Sequence, residues 1–416
     1  MEKPQLTYFF YIVTIVGLVV SPFLLSVGMI SLSVLSLIRF RVDRRTFWVD
    51  IDREAIGRMW RLLRYPSYAA VTLFFFVVLI GPLPEGDWGY WWARLRIKLP
   101  FVGLPLVFLG HPPLSKRGLN GLLYFLTYFL LLTAVGVSLN YFLNAEEIEA
   151  MLKKGHPMPT PRNHIRYSLI VALSVLAGGY LYQQGFYLKY RWERWLTLVS
   201  TLLLFAFMHL LSVRTGLAGL YFAIGVLMLR YIVVSRRYLV GGLLLLLLAA
   251  APVAAYYAVP SLKAKVDYMR WSYLKFKEGE GEVYADPGRI ASLQVGWELF
   301  REHPLVGIGH GNLRAEVERR FDQYYSEHPK ALLPHNQFLF VMAGSGLLGL
   351  SVFLIGFFYP LFYRRNYQHT VFLGFYSVAF LSFATEHTIE NSIGVGFYVF
   401  FLLLLLTHFN RQLPTE

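Results

Sequence analysis

The sequence contains no cysteine, so disulfides, thiol nucleophiles and thiolate metal sites are all excluded. Charged residues are also scarce: they make up 15% of the 416 residues, whereas a soluble domain has about 25%. Hydrophobic residues make up 56% of the chain. This composition is typical of a helical membrane protein, and the apolar runs are continuous rather than alternating, which does not favour a transmembrane barrel.

Apolar segments recur from one end of the chain to the other. Residues 8–38 exceed the length of one span of about 20 residues, and Ser21-Pro22 divides them into two. Ten further spans are predicted near residues 69–83, 97–110, 119–143, 167–184, 196–212, 216–234, 239–258, 336–360, 370–386 and 393–408. Because it contains Pro100 and Pro105, the short segment 97–110 could be broken or re-entrant. The fold class is therefore an all-α polytopic membrane protein with about twelve transmembrane helices.

The distribution of lysine and arginine predicts the orientation. Connections on the side of the two termini carry far more of these residues than the short connections on the other side. The positive-inside rule then places both termini in the cytoplasm and the long loop 260–334 in the periplasm. The chain divides into spans one to nine (1–259), the large loop (260–334) and spans ten to twelve (335–416). The basic segment 39–68 is predicted to be an amphipathic cytoplasmic helix on the membrane surface.

The formal net charge of +14 is best explained by loops held at anionic membrane lipids, and we expect no nucleic-acid partner. The large loop itself is predicted to be helical. Apolar residues recur at helical spacing over 262–276, 289–303 and 313–324. Glycines at 279 and 281 should end the first of these helices. Glycines at 307, 309 and 311 indicate a turn-rich connection before the third helix.

Three residues from separate parts of the chain are predicted on the same side of the membrane: Arg214, Arg289 and His335. A guanidinium is always charged and binds phosphate oxygens with two donors, and an imidazole can take a proton from a hydroxyl near neutral pH. Together they suit transfer from a phosphorylated lipid carrier to a hydroxyl acceptor. Taken singly, each has a simpler explanation as an interfacial anchor or a helix-end residue. Charge against a membrane is costly, however, and this favours a function.

The last outer connection adds Glu386, His387 and Glu390, which could hold a sugar or orient His335, and Asn336 is a further candidate for either role. A metal site formed by His335, His387 and Glu390 would match no established ligand spacing, so no metal is predicted. The Gly307–Gly311 segment superficially matches a dinucleotide loop. It follows a helix rather than a strand, which excludes that interpretation.

The sequence resembles bacterial O-antigen ligases in several motifs. These are ELFREHPLVGIG at 298–309, PHNQFL at 334–339, AGSGLLG at 343–349, and a Ser-x-Arg-x-Gly pattern at 212–216. The wider superfamily also includes O-antigen polymerases and protein O-oligosaccharyltransferases. The resemblance implies that Arg214 and Arg289 bind a pyrophosphate and that His335 is the catalytic histidine. It also implies that no metal or nucleotide cofactor takes part.

The resemblance implies an inverting inner-membrane glycosyltransferase of the GT-C type, acting in lipopolysaccharide biosynthesis with its site facing the periplasm. The donor would be a glycan on undecaprenyl pyrophosphate and the acceptor a sugar hydroxyl of lipid A–core. The polymerase and the protein O-oligosaccharyltransferase remain alternatives within the superfamily. A lipid-linked glycan transporter is the alternative from another class, although the scarcity of ionisable residues within the spans disfavours it.

Overall fold

The computed structural model of the protein describes residues 3–43, 46–278, 285–325 and 330–410. Helices dominate these residues, which confirms the predicted all-α fold. In chain order they are α1 (Lys3–Val20), α2 (Pro22–Leu37), α3 (Arg53–Trp60), α4 (Pro66–Phe76), α5 (Trp88–Lys98), α6 (Pro100–Gly110), α7 (Lys116–Leu143), α8 (Ala145–Lys153), α9 (His164–Gln183), α10 (Glu193–Leu211), α11 (Arg214–Ser235), α12 (Tyr238–Ala258), α13 (Pro260–Lys277), α14 (Ala285–Glu302), α15 (Leu313–Tyr324), α16 (Gln337–Phe362), α17 (Thr370–Thr385) and α18 (Ser392–Phe409).

Each of the twelve predicted spans falls on a helix. Among the described residues, eight helices are long and apolar enough to cross a membrane, and α2, α4 with its 3-10 extension to Leu79, and α17 are shorter apolar helices. The bundle is centred on α9 and α18. In the 18-residue apolar segment of each helix, 78% of the residues of α9 and 83% of those of α18 are buried. In α12 only 6% are buried, so its leucine-rich surface remains for lipid.

The proline-containing segment near 97–110 is helical and continues the helix before it. Its α6 has only 11 residues, too few for a bilayer of about 30 Å. However, Leu99 has helical dihedrals, its N–H donates to Leu95, and its carbonyl accepts from Gly103. Helix α5 therefore continues into α6 through Leu99, and the two together extend from Trp88 to Gly110.

The prediction of one amphipathic helix over 39–68 is wrong in its first half. Strands β1 (Ile38–Asp43) and β2 (Thr46–Ile51) form an antiparallel hairpin, and only α3 and a 3-10 turn over Leu62–Arg64 follow. Residues 39–51 contain β-branched and aromatic residues in a pattern that is compatible with a strand as well as with a helix. Asp52 then caps α3 by accepting from the Ala55 N–H, and it also pairs with Lys3 at 2.6 Å.

The three predicted loop helices correspond to α13, α14 and α15. The predicted break at 279–282 lies outside the described residues. A separate apolar core joins α14, α15 and the start of α16 through Leu299, Phe321 and Phe340. The loop helices are thus packed against the membrane bundle.

Helix α16 is broken at Gly346, where φ is +62° and ψ is −161°. The chain from His303 to Gly309 fills this break. Ile308 and Gly309 donate to the carbonyls of Ala343 and Gly344, and the N–H groups of Leu347 and Leu348 donate to the carbonyls of Pro304 and Leu305. Backbone groups freed by the break are thereby satisfied by the loop, as a buried helix interruption requires.

Two glycines of the sequence motifs, Gly307 and Gly346, allow the loop backbone to pack against the break in α16. A Cβ on Gly307 would collide with the Ser345 amide, and one on Gly346 would collide with the Leu305 backbone. Both have positive φ, which L side chains rarely adopt. Beside them, Asn312 accepts from the Glu85 N–H at 2.9 Å and donates to Leu83, which links the loop to the connection after α4.

We expect Gly346→Ala to release the loop from α16. The new Cβ would occupy the docked backbone, and the dihedrals at Gly346 cost an ordinary residue about 1–3 kcal/mol before any collision. Thermal unfolding of the detergent-solubilised protein should show a marked fall in Tm. Gly136→Ala in α7 is the matched control, because nothing lies within 4 Å of its Cβ position. Equal melting of the two variants would contradict the proposed anchoring.

Candidate active site

One end of the bundle gathers the ends of five membrane helices. Helices α9, α11, α16 and α18 begin there, and α17 ends there. Helix α14 joins them through an ion pair between Arg289 and Glu386, and α13 joins through Lys265, which donates to the Gly155 carbonyl at 2.7 Å. The segments predicted to lie on the side opposite the termini therefore contact one another.

Arg214 and Arg289 line the same cavity, which has a volume of about 240 Å³. Lys265 and His164 also line it, and none of the described residues in its lining carries a carboxylate. The α11 N-terminus also lines the cavity through Val213, Arg214 and Thr215, and the helix dipole adds partial positive charge there. The cavity is therefore suited to an anion with several oxygens.

The Ser-x-Arg-x-Gly pattern has a local structural explanation. Ser212 ends α10 in the left-handed conformation, with φ of +54°, and its hydroxyl donates to the His209 carbonyl at 2.7 Å. Helix α11 therefore starts abruptly at Arg214, close to the end of α10. Gly216 contacts Ser168 of α9 so closely that a Cβ would collide with it. Ser212 and Gly216 set the backbone, and Arg214 supplies the charge.

Arg289 connects the cationic cavity to His335. Its Nη2 donates to Oε1 of Glu386 at 2.7 Å, and the Glu386 side chain is only 3% exposed. The ligating atoms of His335, Glu386 and His387 all lie within 4.8 Å of one another. The structure thus brings together the predicted residues Arg289, His335, Glu386 and His387, and Arg214 lies across the first cavity.

The protonation state of His335 follows from its contacts. Nδ1 lies 3.0 Å from the Leu333 carbonyl, which can only accept, so Nδ1 carries the proton and Nε2 holds a lone pair. Burial lowers the pKa of His335, against the opposing effect of Glu386, and Arg289 lowers it further. The imidazole is therefore neutral and basic at neutral pH. It opens on a second cavity of about 460 Å³, whose lining includes Tyr90, Arg314, Glu318 and Lys330.

His387 faces His335 edge to face, with ring centroids 4.9 Å apart. Burial and the neighbouring His335 lower the pKa of His387 to about 3, so this imidazole is also neutral. Its Nδ1 is buried and has no hydrogen-bond partner among the described residues. An unpaired buried nitrogen next to a cavity is suited to a ligand.

Asn336 and Glu390 are engaged in structural contacts. Asn336 caps α16 by accepting from the Leu339 N–H, and its amide donates to the Ala384 carbonyl at the end of α17. Glu390 binds Lys98 at 2.6 Å and Gln337 at 2.7 Å. Burial would raise the pKa of Glu390, but Lys98 outweighs this and holds the pKa at about 2. Glu390 is thus an ionised link between α5, α16 and the turn before α18.

Several residues near the site were missed by sequence reasoning. Lys98 lies near the start of a predicted span, where a basic residue indicates an interfacial anchor, although its place directly before an apolar helix with two prolines is a usable signal. Arg166 also lies at the edge of a predicted span, without such a signal. It is 5% exposed, its Nε and Nη1 have no hydrogen-bond partner among the described residues, and it acts electrostatically on Glu386 and Glu390. His164 and Lys265 carried no pattern that distinguished them from ordinary interfacial residues.

Comparison with known proteins agrees with the sequence motifs. Residues 198–354 match the family model described as O-Antigen ligase. The match begins in α10, includes Arg214, Arg289 and His335, and ends within α16. No curated protein matches the chain. The resemblance to the O-antigen ligase family is therefore confirmed, and it supports a glycosyltransferase-like membrane enzyme of the ligase and polymerase superfamily.

Lys98→Met should destabilise the protein by about 3–5 kcal/mol, because it leaves the Glu390 carboxylate buried without its main partner. Adding Glu390→Gln should recover part of this loss. Arg314→Met removes the pair with Glu318, in which both side chains are more than half exposed, and should change stability little. Thermal unfolding in detergent distinguishes these outcomes. A Tm unchanged by Lys98→Met would show that the buried pair does not hold the turn.

Proposed function

We propose that this protein is a glycosyltransferase that moves a glycan from undecaprenyl pyrophosphate to a sugar hydroxyl of lipid A–core. One observation carries the proposal. A cationic cavity lined by Arg214 and Arg289 is joined, through Arg289 and Glu386, to a neutral histidine that lines a second cavity. An anion site beside a positioned base is what transfer from a lipid pyrophosphate requires.

The donor occupies the cavity between α11, α13 and α14. Its pyrophosphate oxygens contact Arg214, Arg289 and Lys265, and its lipid chain extends along the apolar bundle. Arg289 already binds a carboxylate oxygen of Glu386, so an anion is compatible with its position. As the bond to the sugar breaks, the arginines stabilise the charge that develops on the pyrophosphate, and interactions of this kind contribute several kcal/mol.

The acceptor enters the second cavity, next to His335. Nε2 of His335 removes the hydroxyl proton while the acceptor oxygen attacks the anomeric carbon from the face opposite the pyrophosphate. The pyrophosphate leaves without needing a proton, so a pair of glycosidase-type carboxylates is unnecessary. Glu386 stabilises the imidazolium that forms. A single displacement inverts the anomeric configuration, and no step requires a divalent metal.

Two related reactions use the same chemistry with other acceptors. An O-antigen polymerase would use a second lipid-linked glycan, and a protein O-oligosaccharyltransferase would use a serine or threonine hydroxyl. In vitro transfer from one defined lipid-linked donor, with each acceptor class offered separately, distinguishes them. A transporter is disfavoured, because the ionisable groups in the described spans lie near helix ends.

The proposed site faces the periplasm in the inner membrane, as the lysine and arginine distribution predicts. The absence of cysteine makes this testable with single cysteines and an impermeant maleimide on spheroplasts. Lys263→Cys, exposed in α13, should be labelled, and Arg365→Cys, exposed at the other end of the bundle, should not. Labelling of the second but not the first would reverse the topology and remove the site from the side on which the donor is presented.

His335 and the arginines should differ in the step they affect. His335→Ala should retain donor binding and lose about 10²–10⁴ in turnover, the usual contribution of a general base. Arg214→Ala and Arg289→Ala should weaken donor binding and turnover together, and replacement by lysine should restore only part, since a point charge cannot bind two oxygens as a guanidinium does.

His303→Ala is the matched control for these variants, because His303 is an exposed histidine of the same loop, outside both the cationic cavity and the His335 cavity. Each variant is first compared with the parent in Tm. If His335→Ala loses donor binding but keeps full turnover at saturating donor, His335 is a binding residue and another group is the base.

A further inference from the structure

The turn between α17 and α18 and the start of α16 bring two imidazoles and a carboxylate to one point. The ligating atoms of His335, His387 and Glu386 lie within 4.8 Å of one another. In a tetrahedral zinc site such atoms are about 3.4 Å apart, since metal–ligand bonds measure about 2.0–2.2 Å. Small side-chain rotations would therefore close the cluster around an ion.

Each of the two histidines has one ring nitrogen left for a ligand. A ligating imidazole usually donates its other N–H to a carbonyl or carboxylate, which fixes the tautomer. Nδ1 of His335 lies 3.0 Å from the Leu333 carbonyl, which leaves Nε2 for a ligand. The buried Nδ1 of His387 has no hydrogen-bond partner among the described residues, which leaves this atom for a ligand.

Glu386 is also held in a suitable way. Arg289 donates to Oε1 at 2.7 Å, so the carboxylate keeps one oxygen in that contact while the other turns to an ion. Hydrogen-bonded carboxylates of this kind are usual around metal centres. Arg289 and Arg166 add positive charge nearby, which opposes a cation, and Glu386 offsets part of it. The binding of a metal ion therefore depends mainly on the two imidazole nitrogens.

We propose that His335, His387 and Glu386 form a binding site for one zinc ion, with water as the fourth ligand. Two nitrogen ligands and one oxygen favour zinc and similar transition ions over magnesium or calcium, which prefer oxygen. A bound ion accepts the Nε2 lone pair of His335, so this imidazole can no longer remove a proton. If the proposed function is correct, zinc is therefore an inhibitor of transfer, and the metal-free protein is the active form.

Binding can be measured without any assay of transfer. The full-length protein in detergent is treated with EDTA, freed of chelator and titrated with Co²⁺, whose visible absorption reports tetrahedral coordination; Zn²⁺ is then added as competitor. We expect one equivalent to bind, with affinity more than about 100-fold weaker in His387→Ala and in His335→Ala, since even second-shell changes cost 10–100-fold. His303→Ala should bind as the parent does.

Absence of binding, or equal binding in all four proteins, would overturn the zinc site. Two histidine variants are used so that misfolding of one, detected by its Tm, leaves the other as the test. Measurement of glycan transfer distinguishes the zinc site from the proposed function. Transfer that persists in EDTA and is lost with stoichiometric Zn²⁺ supports both; transfer unaffected by bound Zn²⁺, or requiring it, overturns the inhibitory role. If the protein binds Co²⁺ but transfers glycan to no acceptor, the metal site is supported and the proposed function is overturned.

Discussion

The polar loop is held to the membrane bundle by backbone hydrogen bonds between the segment after His303 and the broken turn of α16 at Gly346. Within a membrane bundle, a helix can be interrupted only if other groups satisfy its backbone. Here the loop supplies those groups, so neither the interruption nor the docked segment is stable without the other. Helix α14, which carries Arg289, ends directly before the docked segment, and His335 directly precedes α16, which contains the break. The positions of both site residues therefore depend on it.

Electrostatics divides the site into a fixed part and a ligand-binding part. Glu390 has its charge balanced by Lys98 and accepts from Gln337, and this buried set fixes the turn that carries Glu386 and His387. The cavity lined by Arg214, Lys265 and Arg289 has cations and no lining carboxylate among the described residues. Charge that is balanced within the protein contributes rigidity, and a cavity lined by cations favours an anion. Glu390 and Glu386, two carboxylates four residues apart, both pair with a cation, but only the partner of Glu386, Arg289, lines the cationic cavity.

The sequence indicates candidate residues more readily than it indicates the contacts of their neighbours. Arg214, Arg289 and His335 stand out because each is a polar group at a predicted membrane boundary, which is a signal that one chain segment carries by itself, and their roles stay a prediction. Lys98 and Arg166 were missed, since a basic residue near a span end is usually an anchor, and only the packing of α5 and α9 against the last turn shows that these two are buried. The hairpin at 38–51 was missed because its short amphipathic pattern fits either secondary structure, and pairing between β1 and β2 decided it.

By itself, the sequence determined the approximate positions of the apolar helices, the three loop helices and the family resemblance. Each of these depends on local composition, periodicity or motif spacing. Only the tertiary structure decided which charges neutralise one another, which glycines make room for a docked backbone, and which of Glu386 and Glu390 faces the histidines. Those outcomes depend on distances between residues far apart in the chain, such as Gly346 and Leu305 or Arg289 and Glu386. Helical periodicity carries no information about such distances, because they are set by how the helices pack.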